Sequence, residues 1–274
     1  MYAIKTWRYL RLGMIALLVG LFAAVIYEVA RGGDIDCVQT SISAYYYTHA
    51  QAIFVGALIA MGTCLISLRG STDHEDVLLN LAGMLAPVVA LVPTPNAGAC
   101  ASLVGLGDPT PNVENNITAL LFTGATAFVL LAVLSRGSRR PAVARIGYWV
   151  ALALWGIALV VFIGFTPEFV DHAHLIAAGI MFACIIAVAV INAFSFRDKQ
   201  GDPNVRNRYI YIAIAMLSAP ALYLVGGMYH ILLAEIAALL LFAIFWAFQT
   251  EELWGEGVRL DPEAEQRHAA EQDG

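Results

Sequence analysis

Charge is what this chain has least of. Asp, Glu, Lys and Arg make up 13% of its 274 residues, about half of the roughly 25% usual in a soluble domain, which excludes a soluble fold for the bulk of the sequence. Lysine is nearly missing: only Lys5 and Lys199 occur, both outside the apolar runs, so a retinal Schiff base within the bundle is excluded. Period-two alternation is missing from the apolar runs, so strands are not expected. No HExxH pair occurs, and no serine sits in a nucleophile-elbow context, so no motif identifies a reaction. Cysteines number four. Two of them, Cys64 and Cys184, fall inside apolar runs and read as small buried hydrophobes.

What is present is apolar. Hydrophobic residues make up 60% of the chain and the mean hydropathy is +0.73. The apolar residues gather in runs of about 17–24, long enough to cross a hydrocarbon core of about 30 Å. The expected spans are about 12–30, 51–68, 78–94, 117–135, 146–166, 172–196, 209–226 and 229–250. Backbone polar groups in lipid must be satisfied within the segment, so all eight are expected to be helical. The fold class is therefore all-α, a polytopic membrane helix bundle over residues 1–254. The polar segment 255–274 reads as a disordered tail. Lys5, Arg8 and Arg11 precede the first run, but AVIYEVARGG offers no small-x-small cleavage site, so this run is read as an uncleaved first span.

Orientation follows from the basic residues. With the N-terminus inside, 14 of the 15 lysines and arginines fall on the inner side and only Arg31 falls outside. Both termini are then cytoplasmic and the membrane is the plasma membrane. The basic residues are few and flank the membrane runs, so no nucleic-acid partner is expected. Thr48 and Gln51 have capping-box spacing at the second span. Thr166-Pro167 reads as N-cap and first residue of the sixth. Pro87 and Pro220 should kink the third and seventh. Tyr148, Trp149 and Trp254 suit the interface.

The most unusual stretch is Gly33–Gly62, GDIDCVQTSISAYYYTHAQAIFVGALIAMG. A polar loop carries Ser41, Ser43, Tyr45, Tyr46, Tyr47 and His49 to the point where the chain enters lipid. Cys37 lies in this loop and Cys100 in the next outer loop, the only cysteines placed outside, where disulfides are permitted. A Cys37–Cys100 bridge is expected, against two free thiols or a metal pair. Ionisable groups within spans are costly and face a cavity or a partner. Glu235 in YHILLAEIAALL is the clearest case, followed by Glu28 and by His174 in TPEFVDHAHLIAAG, with Asp171, His172 and His230 nearby. Three readings of this outer cluster stay open. It is a hydrogen-bonded network holding helices together, a ligand, ion or lipid cavity without chemistry, or a zinc hydrolase site using His172, His174 and His230. A Ser43, His49 and Asp171 triad is a further assembly on paper. Polar residues at mid-span are scarce, which weighs against a transporter. His74 and His268 read as solvated, and Asn116-Ile117-Thr118 matches a glycosylation sequon where the fourth span enters lipid.

SISAYYYT followed by FVGALIAMG, with His174-Leu-Ile-Ala-Ala and Glu235, resembles bacterial integral membrane proteins grouped as domain of unknown function 998, and more remotely DRAM-type membrane proteins. The resemblance covers spans two to eight and implies a helical bundle with no established chemistry. The functional expectation is non-enzymatic: binding or sensing a small molecule or lipid, or organising partners, through a polar pocket at the outer face whose candidate residues are Glu235, His174, Asp171, His172, His230, Glu28, Ser43 and Tyr46. No cofactor is expected under it. The alternatives are a zinc-dependent hydrolase acting on lipid, and a transporter.

Overall fold

The computed structural model describes residues 2–31, 38–94, 109–136, 141–200, 207–224 and 229–254. They form eight α-helices: α1 (Tyr2–Arg31), α2 (Gln51–Ser67), α3 (Asp73–Leu91), α4 (Thr110–Leu134), α5 (Ala142–Gly164), α6 (Thr166–Gln200), α7 (Arg208–Ser218) and α8 (His230–Glu252). Two 3-10 helices, Ser43–Tyr47 and Ala219–Leu224, complete the order, and no strand occurs among the described residues. Six helices (α1, α3, α4, α5, α6, α8) are long and apolar enough to cross a membrane. The expected second and seventh spans are shorter apolar helices of 17 and 11 residues. The chain is thus a multi-pass helical membrane protein. Cys37, Cys100 and the tail 255–274 lie outside the described residues, while Cys64 and Cys184 are free thiols within α2 and α6.

α3 is the hub, packing along α2 on one side and α6 on the other; α1 joins α2 to α8, and α7 lies against α6 and α8. The buried face of α1 shows why it fits. Trp7, Arg11, Met14, Leu18, Leu21 and Val25 are its buried residues, spaced alternately by four and three, the seam of a helix that meets its neighbours at a shallow angle. α2 and α3 approach closely enough that their backbones touch. A Cβ on Gly62 would lie 2.7 Å from the Gly83 carbonyl oxygen, and a Cβ on Gly83 would lie 2.6 Å from that of Gly62. Without a hydrophobic drive between helices in lipid, such close van der Waals packing on small residues holds the pair. α4 and α5 sit at the periphery and meet α3 and α6 through a second core of Val92, Val113, Ile117, Leu121 and Phe169.

Three local expectations change. α3 starts at Asp73, not near 78, because Thr72 accepts from the Glu75 N–H at 3.1 Å and Glu75 accepts from the Ser71 N–H at 2.8 Å. That reciprocal cap turns an acidic stretch that reads as a loop into the first turn. Thr48 and Gln51 do not form a capping box on α2: the N-cap is Ala50, and the Thr48 hydroxyl donates to the Tyr45 carbonyl at 2.8 Å, closing the 3-10 helix. Thr166 is itself helical, and its hydroxyl donates back to Phe162 O at 2.7 Å. Pro87 lies inside α3, as expected. At the other proline α7 gives way to the 3-10 segment Ala219–Leu224, which contains Pro220, a residue that cannot donate to a helix ladder.

Candidate functional site

The polar segment between α1 and α2 does not sit on the surface. Ser41, Ile42, Ser43, Ala44, Tyr45 and Tyr46 are all buried. Irregular backbone at this position needs internal partners, and local side chains supply several. The Ser41 hydroxyl accepts from Ala44 N–H at 3.0 Å, and Thr48 Oγ1 accepts from Ala50 N–H at 3.2 Å. The Tyr47 hydroxyl donates to the Thr94 carbonyl at 2.9 Å, tying the segment to the end of α3. Tyr46 stands edge-on to Tyr47, with ring centroids 5.5 Å apart. Burial pushes the phenols of Tyr45, Tyr46 and Tyr47 above their ordinary range.

The remaining anchors come from distant helices. Glu235, in the second turn of α8, accepts from the Ile42 N–H through Oε2 and lies 3.2 Å from Ser43 Oγ through Oε1. His174, buried in α6, places Nε2 2.9 Å from the same Ser43 hydroxyl and Nδ1 2.7 Å from the Val92 carbonyl. A carbonyl only accepts, so His174 Nδ1 carries a hydrogen. Ser43 owns one proton and has two neighbours that could take it. Either a protonated Glu235 donates to Ser43, which donates to neutral His174, or a doubly protonated His174 donates to Ser43, which donates to the Glu235 carboxylate. Both arrangements hold the same number of protons. In either arrangement Glu235, Ser43 and His174 form one hydrogen-bonded chain in which each donor meets an acceptor.

Other expected site residues lie elsewhere. Glu28 pairs with His49, Oε1 to Nδ1 at 3.0 Å, clasping α1 to the start of α2. His172 is exposed and its Nδ1 lies 3.0 Å from Glu168 O, while Asp171 is exposed one position earlier. His172 and His174 thus project from different sides of α6. His230 is the half-buried first residue of α8. Among the described residues no three His, Cys, Asp or Glu side chains gather as a metal group. The triad assembled on paper is corrected too: the histidine on Ser43 is His174, while His49 bonds Glu28.

A second buried polar group escaped the sequence reading. Glu75, Asn192 and Gln249 meet near the basic end of the bundle, where α1 begins. Beside them Arg11 stacks on Trp7 and Trp246, its guanidinium carbon 3.5 and 4.8 Å from the ring centroids. The readable signals were the Thr72–Glu75 cap spacing and lone amides inside the sixth and eighth apolar runs.

No family model, no curated protein and no solved structure matches this chain.

Proposed function

We infer that this chain is an eight-span plasma-membrane protein with both termini cytoplasmic. In this reading it binds or senses a small molecule or lipid at its outer face without chemistry of its own. One observation carries the reading: a polar segment outside the α-helices, Ser41–Thr48, is largely buried among them and held there by ionisable residues of α6 and α8. Intramembrane carboxyl and imidazole groups are costly and are kept for a partner or a pathway. Here the partner is the segment itself, so a ligand that takes over bonds to Glu235 or His174 changes how the segment is held. His174 has both ring nitrogens engaged, which favours binding over zinc chemistry.

A ligand screen read by hydrogen exchange tests the function. A true ligand should alter exchange of the Ile42–Thr48 amides and raise the melting temperature of wild type but not of Glu235→Leu. Stoichiometric zinc in gently purified protein would replace this reading with the hydrolase. Topology is tested separately. Cysteine labelling at positions 139 and 199 and in the tail should report cytoplasm, and labelling at 108 the outside; an externally accessible C-terminus would overturn the even span count.

A further inference from the structure

Two cations at the end of the bundle where α1 begins have no carboxylate facing them among the described residues. Arg8 donates through Nη2 to the Trp254 carbonyl, just past the end of α8, and its guanidinium carbon lies 4.6 Å from the Trp254 ring centroid. That carbonyl is its one hydrogen-bond partner among the described residues. Its Nε is buried without a hydrogen bond, while Nη1 is neither bonded nor buried. Lys5, three residues earlier and a neighbour of Arg8 on the α1 surface, is exposed, with Nζ 5.5 Å from the Tyr9 ring centroid. Arg208, by contrast, has Glu251 at 3.3 Å. From Lys5 the exposed side of α1 continues through Tyr9, Leu12, Ala16 and Val19, spaced by four and three. No charged residue follows Arg11 on α1 until Glu28.

We propose that Lys5 and Arg8 bind the phosphate of an anionic phospholipid, one of whose acyl chains lies along Leu12, Ala16 and Val19. The Arg8 guanidinium is held between a carbonyl and an indole, so little freedom is lost when its remaining N–H donors meet phosphate oxygens. Lys5 adds a point charge on a flexible stem that follows the headgroup. Two positive charges without a counter-charge match a headgroup of net negative charge, whereas the ammonium of a zwitterionic headgroup meets like charge. Tyr9 is 61% and Trp254 47% exposed, and such amphipathic rings sit at headgroup depth. The lane from Leu12 to Val19 runs about 10 Å along the helix, within a leaflet about 15 Å deep. An anionic lipid therefore meets charge and apolar surface at the depths where it carries each. The site is remote from the outer polar chain: Arg8 and Glu28 are twenty residues apart on α1, about 30 Å. Recognition rests on charge and depth, whichever side of the membrane this end faces.

The test is native mass spectrometry of the full-length purified protein in detergent. It is titrated with phosphatidylglycerol, with phosphatidylcholine of the same acyl chains, and with glycerol phosphate, which has the phosphate and no chains. Phosphatidylglycerol should bind at least about tenfold more tightly than phosphatidylcholine, and glycerol phosphate should not bind at the same concentrations. Lys5→Gln should weaken phosphatidylglycerol about fivefold, the effect of one basic residue at an anionic surface. Arg8→Gln should weaken it at least about tenfold, and Arg8→Lys should restore only part of the loss, because a point charge does not reproduce the guanidinium contacts. Arg208→Gln should leave the preference unchanged, since Arg208 is already paired. Lys5 is exposed, so its variant serves if Arg8→Gln does not fold. Equal binding of the two lipids by wild type overturns the proposal. So does a preference that survives both Lys5→Gln and Arg8→Gln, which would mean attraction to the basic end as a whole. Glycerol phosphate that competes as well as the lipid overturns the lipid in favour of a free phosphate.

Discussion

Replacing Glu235 with leucine is expected to cost about 3–5 kcal/mol of stability, while Glu235→Gln costs about 1 kcal/mol or less. The difference is in what each leaves behind. Leucine strands the Ile42 N–H and removes one end of the chain through Ser43 to His174, and unmade bonds at buried groups cost far more than made ones contribute. Glutamine keeps a carbonyl oxygen for Ile42 N–H and presents an amide donor to Ser43, whose proton then goes to His174 Nε2. Thermal unfolding in detergent reads the first effect, and hydrogen exchange over Ile42–Thr48 reads whether the segment has loosened. A leucine variant as stable as wild type would mean that the chain does not hold the segment. A glutamine variant as damaged as leucine would mean that the charge itself matters, and would point toward proton or cation binding at Glu235.

Gly83→Val should be comparably severe, and Gly83→Ala should cost about 1–3 kcal/mol through overpacking. An added Cβ would meet the Gly62 carbonyl oxygen at 2.6 Å, Ile66 Cγ1 at 2.6 Å and the Ile66 nitrogen at 3.1 Å. Two of those three atoms are backbone, so the strain cannot be relieved by a rotamer change; α2 and α3 must move apart along the pair on which the bundle is built. Gly56→Ala is the internal control. Nothing lies within 4 Å of a Cβ there, and alanine is favoured over glycine in a helix by about 1 kcal/mol, so that variant should be neutral or slightly more stable. Equal melting temperatures for Gly56→Ala and Gly83→Ala would show that the contact is not tight.

The approximate positions of the eight helices, the class of fold and the need of His174 and Glu235 for polar partners follow from the sequence alone. Each is a local property: an apolar run of sufficient length must satisfy its own backbone in lipid, and an ionisable group within such a run must find a partner. Where capping chemistry competes with composition, the same locality misleads, as at Thr72–Glu75, where charged residues that look solvated close a helix N-terminus. Which partner each group finds is not a local property. Ser43 meets a histidine 131 residues away and a glutamate 192 residues away, and Glu28 turns to His49 in place of the outer cluster. His172 and His174 are separated by the 3.6-residue turn of α6, which sends two residues at i and i+2 to different sides. Glu75, Asn192 and Gln249 come from three elements whose lone polar residues carry no mark of one another until α3, α6 and α8 are packed. The helices were written into the chain by burial and backbone hydrogen bonding. The pairing of polar groups between them was decided only by the rotation each helix adopts about its axis when its neighbours close around it.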